Sequence, residues 1–417
     1  MSDNLYWIWL SLSCTPGSQS FIKLWERFGE VNEIFSLGEE DIKSVLGSRA
    51  SDVRALSDKS LVLAKRVLDF CDSHGVGIVK FTDQEYPASL REIKNPPVLL
   101  YYRGILPSFN SAFPVSVVGT RRLTEYGKRN AFEISYDLSL AGATVVSGMA
   151  IGIDGVALAG AIAAGGVTVA VIGSGINVCY PKEHLTLARE IVKRGCVLTE
   201  YPPNTRPEKH NFPTRNRIIS ALSRVTLVIE GKEKSGALIT ARLAKEQGRP
   251  VYAIPGNVGN KTSELTNLLI KNGASLCRGA DDIINDFLDS SLGVLNPFKL
   301  TDSVRPDINE SLSSVSVSAV TQDDGIFSRF KKRRTENTQK REAVPEEKSN
   351  ESLSDKLSGF DKDTVKLYSK IPLEGDCSVE SLVDSELPIR TVMRGLLKLE
   401  MGRFVEMLPG ERVRRKS

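Results

Sequence analysis

Histidine is scarce in this 417-residue sequence, with only His74, His184 and His210, and the six cysteines (Cys14, Cys71, Cys179, Cys196, Cys277, Cys377) include no CxxC pair. That usage argues against structural zinc and against a disulfide scaffold, and it fits a reducing cytoplasm. There is no GxSxG elbow, no HExxH helix and no evident Ser/His/Asp arrangement, so no catalytic engine is visible. Charge of one sign is also missing in bulk. Lysine and arginine total 55 against 51 acids, a net charge of +4, so attraction to a polyanion must come from local clustering. The amino-terminal MSDNLYWIWLSLS lacks the basic region of a secretory signal. One uncharged run, 155–181, is long enough to cross a bilayer. It contains six glycines, breaks at Gly165 and Gly166 and passes from Ala-rich to Val/Ile-rich sequence. A buried helix, a tight turn and a central strand explain this pattern, and no membrane association is expected.

Residues 1–75 are predicted to be a small helical module: Phe21, Ile22, Leu24, Trp25 and Phe28 share a helical face that Gly29 is placed to end. From about 115 to 290, short β-branched runs beginning at 115, 144, 167, 196, 225 and 251 alternate with helical stretches. Such alternation predicts a parallel sheet wrapped by helices, an α/β fold, over 76–295. Gly127, Ala131, Ile134 and Leu138 mark one of those helices, stopping at Gly142. Residues 296–358 dissolve into serines and charges, including KKRRTENTQKR at 331–341, and read as a disordered linker. In 359–417 periodicity returns, with Ile389, Val392, Met393, Leu396 and Leu397 as a stripe followed by RFVEM and a turn. Helices followed by a β-hairpin point to a winged-helix module, and Arg390, Arg394 and Lys398 would track a phosphate backbone or simply form a solvated face.

Ligands of open parallel sheets sit beyond the carboxyl ends of the strands, where loops run into helix N-termini. Three loops there are rich in small residues: Gly119-Thr120-Arg121, Ser147-Gly148 leading to Asp154, and Gly173-Ser174-Gly175. Glycine lets backbone approach an anion and Arg121 can clamp a phosphate with two parallel bonds, so together they read as a phosphate site. The nucleotide motifs do not close. Gly173-x-Gly175 lacks the third glycine of a dinucleotide fingerprint, and GNVGNKTS at 256–263 has Asn260 where a P-loop needs glycine. ATP, NAD and other cofactors are therefore not expected.

The densest basic stretch on that edge is Arg206, Lys209, His210, Phe212, Arg215, Asn216 and Arg217. Arginines for phosphates beside an aromatic for stacking, Phe212 or Tyr201, suit a flexible, single-stranded nucleic acid. A purely structural alternative stays open: Asn216 as a helix cap, Phe212 in the core, and Arg215 or Arg217 paired with Glu200 or Glu230. Ser235 to Thr240 opens another helix on the same edge.

The ordered segments GTRR, SGMAIGID, VAVIGSGINVCYP, TEYPP, FPTRNRIISALS and SGALITARLAKEQGRPVYAIPGN closely resemble the DNA-processing protein A family (DprA, also called Smf) across residues 80–280. The resemblance implies a cytoplasmic, non-enzymatic protein with an extended Rossmann-like fold. It also implies an N-terminal helical module akin to SAM or helix-hairpin-helix domains and a winged-helix tail. Such a protein would dimerise, bind single-stranded DNA, protect incoming strands and help load the RecA recombinase in natural transformation. Carried over by motif, the DNA-binding residues would be Gly119, Thr120, Arg121, Ser147, Gly148, Gly173, Ser174, Gly175, Lys209, Phe212, Arg215, Asn216 and Arg217. Two departures stand out: the family's AHRGAL is Ala157-Leu158-Ala159-Gly160-Ala161-Ile162 here, and a usual glycine is Leu265, which puts the local turn in question. The competing enzyme reading is a nucleotide N-glycosidase on a related scaffold, using Asp154 or Glu230. A regulator of duplex DNA acting through the winged helix is a third.

Overall fold

A computed structural model describes residues 3–48, 50–291, 293–300, 305–317, 362–372, 376–384, 391–392, 395–396, 399–400, 404–408 and 412–415. The chain divides into two compact units, Met1–Glu336 and Asn337–Ser417.

The first unit opens with six helices: α1 (Asn4–Ser13), α2 (Ser20–Phe28), α3 (Val31–Ser36), α4 (Glu39–Leu46), α5 (Val53–Ser57) and α6 (Val62–His74). Gly29 ends α2 in the left-handed conformation expected of it, at φ +74°. Aromatic rings join these helices to the chain that follows. Phe21 packs edge-on against Trp7 at 6.3 Å and against Phe81 at 5.1 Å, and Phe81 meets Tyr86 at 5.5 Å. Such pairs are worth about 0.5–1.5 kcal/mol each beyond the area they bury. One continuous core therefore runs from the helical module into the sheet.

The sheet has nine strands in the order β1-β2-β6-β5-β4-β3-β7-β8-β9. The strands are β1 (Gly77–Lys80), β2 (Leu99–Gly104), β3 (Pro114–Val118), β4 (Thr144–Ser147), β5 (Thr168–Val171), β6 (Cys196–Thr199), β7 (Val225–Val228), β8 (Val251–Ala253) and β9 (Ser275–Leu276). All neighbours from β6 to β9 pair in parallel, while β1 with β2 and β2 with β6 are antiparallel. The predicted parallel sheet is thus present, and β3 to β7 are buried along their whole length, as strands covered on both faces must be. The antiparallel pair β1–β2 and the two-residue β9 were not anticipated. β1 is mostly half-buried and β9 exposed, so neither leaves a hydrophobic run to read.

Between strands run α7 (Ala88–Arg91), α8 (Glu125–Leu140), α9 (Ile153–Ala163), α10 (Leu185–Arg194), α11 (Asn211–Leu222), α12 (Gly236–Glu246), α13 (Glu264–Lys271) and α14 (Ala280–Phe287), and α15 (Ile308–Ser314) follows. The uncharged run at 155–181 is helix α9, a turn at Gly165 with φ +73°, and strand β5. Among the described residues no helix is long and apolar enough to cross a membrane. The AHRGAL departure makes α9 wholly apolar after Asp154, and Leu158 is fully buried. Leu265 is likewise fully buried in the first turn of α13, its N–H donating to Gly231 O at 3.0 Å.

Strand order fixes where a ligand can sit. The chain moves outward from β3 through β4 and β5 to β6, then returns to the other side of β3 as β7. Loops leaving β3 and β7 diverge to opposite faces, opening a crevice at their carboxyl ends.

In the second unit, helix α16 (Lys362–Lys370) packs Leu367 and Tyr368 with Val392, Leu396, Leu399, Val405 and Val413. Three antiparallel strands, β10 (Cys377–Ser378), β11 (Val405–Leu408) and β12 (Arg412–Arg415), lie in the order β10-β12-β11. Ile389, Arg390, Met393, Arg394, Leu397 and Lys398 lie outside the described residues, as does the 331–341 basic stretch.

Candidate functional site

A cleft of about 620 Å³ occupies the crevice beyond β3 and β7. Gly119, Thr120 and Arg121 line it from the β3 loop, Ala150 from the β4 loop, Asp154 from the start of α9, Phe212, Arg215 and Asn216 from α11, and Ser235, Gly236, Ala237, Ile239 and Thr240 from the start of α12. Two glycines let the first two loops touch. A β-carbon on Gly119 would lie 2.5 Å from the Ile153 side chain, and one on Gly152, at φ +93°, would lie 2.4 Å from Thr120 O. Ile153 N–H donates to Thr120 O at 3.1 Å, which ties the start of α9 to the β3 loop.

Arg121 is exposed, and its guanidinium stands 5.6 Å from the centre of the Phe212 ring. Arg215 lies 6.0 Å from the same ring, and Tyr180 packs against it at 5.5 Å. Lys209, also exposed, completes the rim. The exposed face therefore combines two cations with two aromatic rings, and the N-terminal end of α12 adds the positive end of a helix dipole.

Beneath this rim the polar groups hold one another. Arg215 is 3% exposed, and its Nη1 donates to Gly148 O at 2.8 Å and to Val171 O, pinning the β4 loop to the end of β5. Asp154 accepts from Gly148 N at 3.2 Å and Ala150 N at 3.5 Å. Burial pushes the Asp154 carboxyl up, opposed by the charge of Arg215, and burial pushes Arg215 down to about 10. Ser147 donates to Val117 O at 2.6 Å, and Ser174 to Val178 O at 2.8 Å. Gly173, Ser174 and Gly175 are buried beneath the 201–212 segment: Asn211 Nδ2 donates to Gly173 O at 3.0 Å, and Gly175 N–H donates to Thr205 O at 2.9 Å.

The structure thus brings Gly119, Thr120, Arg121, Lys209, Phe212, Arg215 and Asn216 to one cleft, with Ser147, Gly148 and Gly173 to Gly175 packed underneath. Arg217 goes elsewhere. It points off the opposite side of α11 and pairs with Glu200, as the structural alternative for this residue has it. Asn216 is not a cap, because α11 begins at Asn211. Glu230 lies off the cleft, accepting from Thr124 N at 3.0 Å and Thr124 Oγ1 at 2.6 Å at the start of α8. Sequence reasoning overlooked Tyr180 as a wall of the cleft, although it belongs to the quoted VAVIGSGINVCYP segment. Among the described residues no cluster of three or more His, Cys, Asp and Glu is arranged to hold a metal.

His184 supports the same loop from behind. It is fully buried, its Nδ1–H donates to Met149 O at 3.0 Å, and its Nε2 has no hydrogen-bond partner among the described residues. Burial holds its pKa below the ordinary 6.5. Below 6.5 the unfolded chain takes up a proton that the folded chain resists, so stability is present above that pH and lost beneath it. Urea unfolding from pH 7.5 to 5.5 should show this loss, and His184→Asn, which keeps a donor for Met149 O, should flatten it.

The two cleft arginines should separate in a second measurement. Arg215→Ala strands Asp154 without its counter-charge and should cost about 3–5 kcal/mol, whereas exposed Arg121→Ala should stay within about 0.5 kcal/mol of wild type. Equal losses in urea unfolding would contradict the distinction.

Comparison with known proteins agrees with this architecture. The family model described as DNA recombination-mediator protein A matches residues 77–288. The DNA processing protein DprA of Bacillus subtilis is 39% identical over 233 residues, covering 56% of this chain and 78% of that protein. The Streptococcus pneumoniae DprA is 37% identical over 277 residues, 65% of this chain and 93% of its own length. The X-ray structure of DprA from Streptococcus pneumoniae superposes with a TM-score of 0.59 at 33% identity, covering 69% of this chain and 98% of that one. With half the chain matched in sequence and the large, mostly parallel sheet shared, this protein belongs to the DNA recombination-mediator protein A family.

Proposed function

We propose that this protein is a non-enzymatic single-stranded DNA binder that acts as a recombination mediator, taking the backbone of an unpaired strand into the cleft at the β3–β7 crevice. The observation that carries this reading is the exposed Arg121 guanidinium set over Phe212, with Lys209 beside it: cations for phosphates next to rings for bases are the elements a single strand needs. Arg121 and Lys209 are the direct phosphate contacts, Phe212 and Tyr180 the stacking surfaces, and Asn216 a polar contact. Gly119 and Thr120 let the strand approach the backbone. Arg215, Ser147, Gly148, Gly173, Ser174 and Gly175 build the floor. In the family role the strand-bound protein would protect incoming DNA and load the RecA recombinase in the cytoplasm as a homodimer. The second unit, with its helices and three-stranded sheet, is proposed as the winged-helix module. The expected linker 296–358 is corrected over its described part: Asn296 N–H donates to Ala141 O at 2.8 Å, Arg305 pairs with Asp137 at 2.6 Å, and α15 with the residues just after it buries Leu312, Val315 and Val317 in the first unit's core, because these apolar side chains find a face to cover. Residues 318–358 lie outside the described residues.

The enzyme reading loses one of its two carboxylates, since Glu230 is tied to Thr124 and lies off the cleft. Asp154 does line the cleft, but it is held by two backbone N–H groups and faces Arg215.

Binding should weaken steeply with added salt, the slope of log K against log salt being about −0.7 per phosphate neutralised. Arg121→Ala should weaken binding of all sequences alike and reduce that slope by about 0.7. A gel-shift comparison of single- and double-stranded oligonucleotides with wild type and Arg121→Ala checks both points. Salt-independent binding, or an unchanged slope in the variant, would count against the reading.

A further inference from the structure

Residues two apart on a helix point roughly 200° apart around its axis, so while Arg215 reaches into the cleft floor, Arg217 reaches the other side of α11. There it pairs with Glu200, the residue that follows β6, and the two side chains are only 4% and 5% exposed. The surrounding wall comes from the N-terminal helical module: the loop Cys14 to Ser18 between α1 and α2, together with Phe21 and the stretch leading into β2. These groups line a half-open recess of about 20 Å³. At it Glu200 Oε1 and Arg217 Nε and Nη1 are buried with no hydrogen-bond partner among the described residues. A buried water needs roughly 10–15 Å³ and two to four polar neighbours, so the recess has room for one.

The loop on the far wall is held stiffly. Asp52, 2% exposed, accepts from Thr15 N at 3.0 Å, Thr15 Oγ1 at 2.5 Å and Ser18 Oγ at 3.0 Å. Asn95 Nδ2 donates to Gly17 O at 2.8 Å. Gly17, at φ +82°, lies so close to α11 that a β-carbon there would sit 2.8 Å from Thr214 Cγ2 and 3.6 Å from Arg217 Nε. A buried ion pair is a poor source of stability, because desolvation offsets most of its attraction. What a planar guanidinium does supply is direction, since its fork fixes the rotation of the helix that carries it.

We propose that Arg217 and Glu200 are positioning residues through which the N-terminal helical module seats α11, and with it Phe212, Arg215 and Asn216, so that the module sets the affinity for a single strand without touching it. This rests on the reading of the cleft as the strand-binding site. Arg217 therefore acts on DNA from behind the cleft rather than as a phosphate contact.

Two sets of full-length variants test it, each measured for oligonucleotide affinity across a salt series at a temperature where circular dichroism shows the chain folded. Arg217→Met with Glu200→Leu replaces the pair by apolar groups, an exchange that commonly leaves stability intact. Gly17→Ala pushes the loop against α11, and adding Thr214→Ser removes the methyl it strikes. The expected result is a loss of about 3- to 30-fold in affinity for the pair replacement and for Gly17→Ala, within the range of coupling between touching residues. The salt slope should match wild type in both, and Thr214→Ser should restore the part of the Gly17→Ala loss that comes from the methyl clash, the backbone strain of alanine at φ +82° remaining. Unchanged affinity in folded variants would overturn the proposal, as would a slope reduced by about 0.7 on removing Arg217, the sign of a lost phosphate contact. If the pair replacement does not fold, Gly17→Ala with and without Thr214→Ser decides alone. Wild-type protein that binds with no salt dependence would instead defeat the reading of the cleft itself.

Discussion

The cleft depends on one buried guanidinium. Arg215 bonds the carbonyls of Gly148 and Val171 and faces the Asp154 carboxylate, so it closes the carboxyl edge of the sheet where β4 and β5 end. Backbone carbonyls at strand ends have no ladder partner, and leaving them unpaired in the interior costs about 1–3 kcal/mol each. One side chain answers two of them and at the same time balances the acid at the start of α9. With that floor fixed, Phe212 is held at a set height and Arg121 can lie over it from the rim.

Two classes of arginine follow from this, and burial separates them. Arg215 and Arg217 are each 3% exposed and committed to protein partners, whereas Arg121 is exposed and is the cation of this group left facing solvent at the cleft. A motif such as FPTRNRIISALS lists arginines without saying which face of the helix each will take. Helical spacing could have parted Arg215 from Arg217, but choosing which of them faces the cleft requires knowing what packs behind α11. That information lies in Glu200, 17 residues before Arg217, and in the loop around Gly17, at the far end of the unit's sequence.

The sheet was far more legible than the site. Strands β3 to β8 announce themselves as β-branched runs because both of their faces are covered, and the glycines that end α2 and precede β4 stand where positive φ is needed. β1, β2 and β9 were hidden because their pairing is a nonlocal fact about the edges of the sheet. In the site, residue types on the loops marked the correct edge. The hydroxyls of Ser147 and Ser174 nevertheless turned inward to backbone carbonyls, since a small polar group in a tight turn satisfies its nearest acceptor first. The glycine loop at 173–175 serves the same internal purpose, making room for the 202–205 backbone that crosses over it.

The central claim is that an unpaired strand lies in the β3–β7 cleft with its bases near Phe212 and Tyr180. Photocrosslinking tests it most directly, using a single strand that carries a halogenated uracil and locating the attached peptides by mass spectrometry. The account predicts attachment to the peptides that contain Tyr180 and Phe212. Attachment confined to the second unit, with none at the cleft, would contradict it.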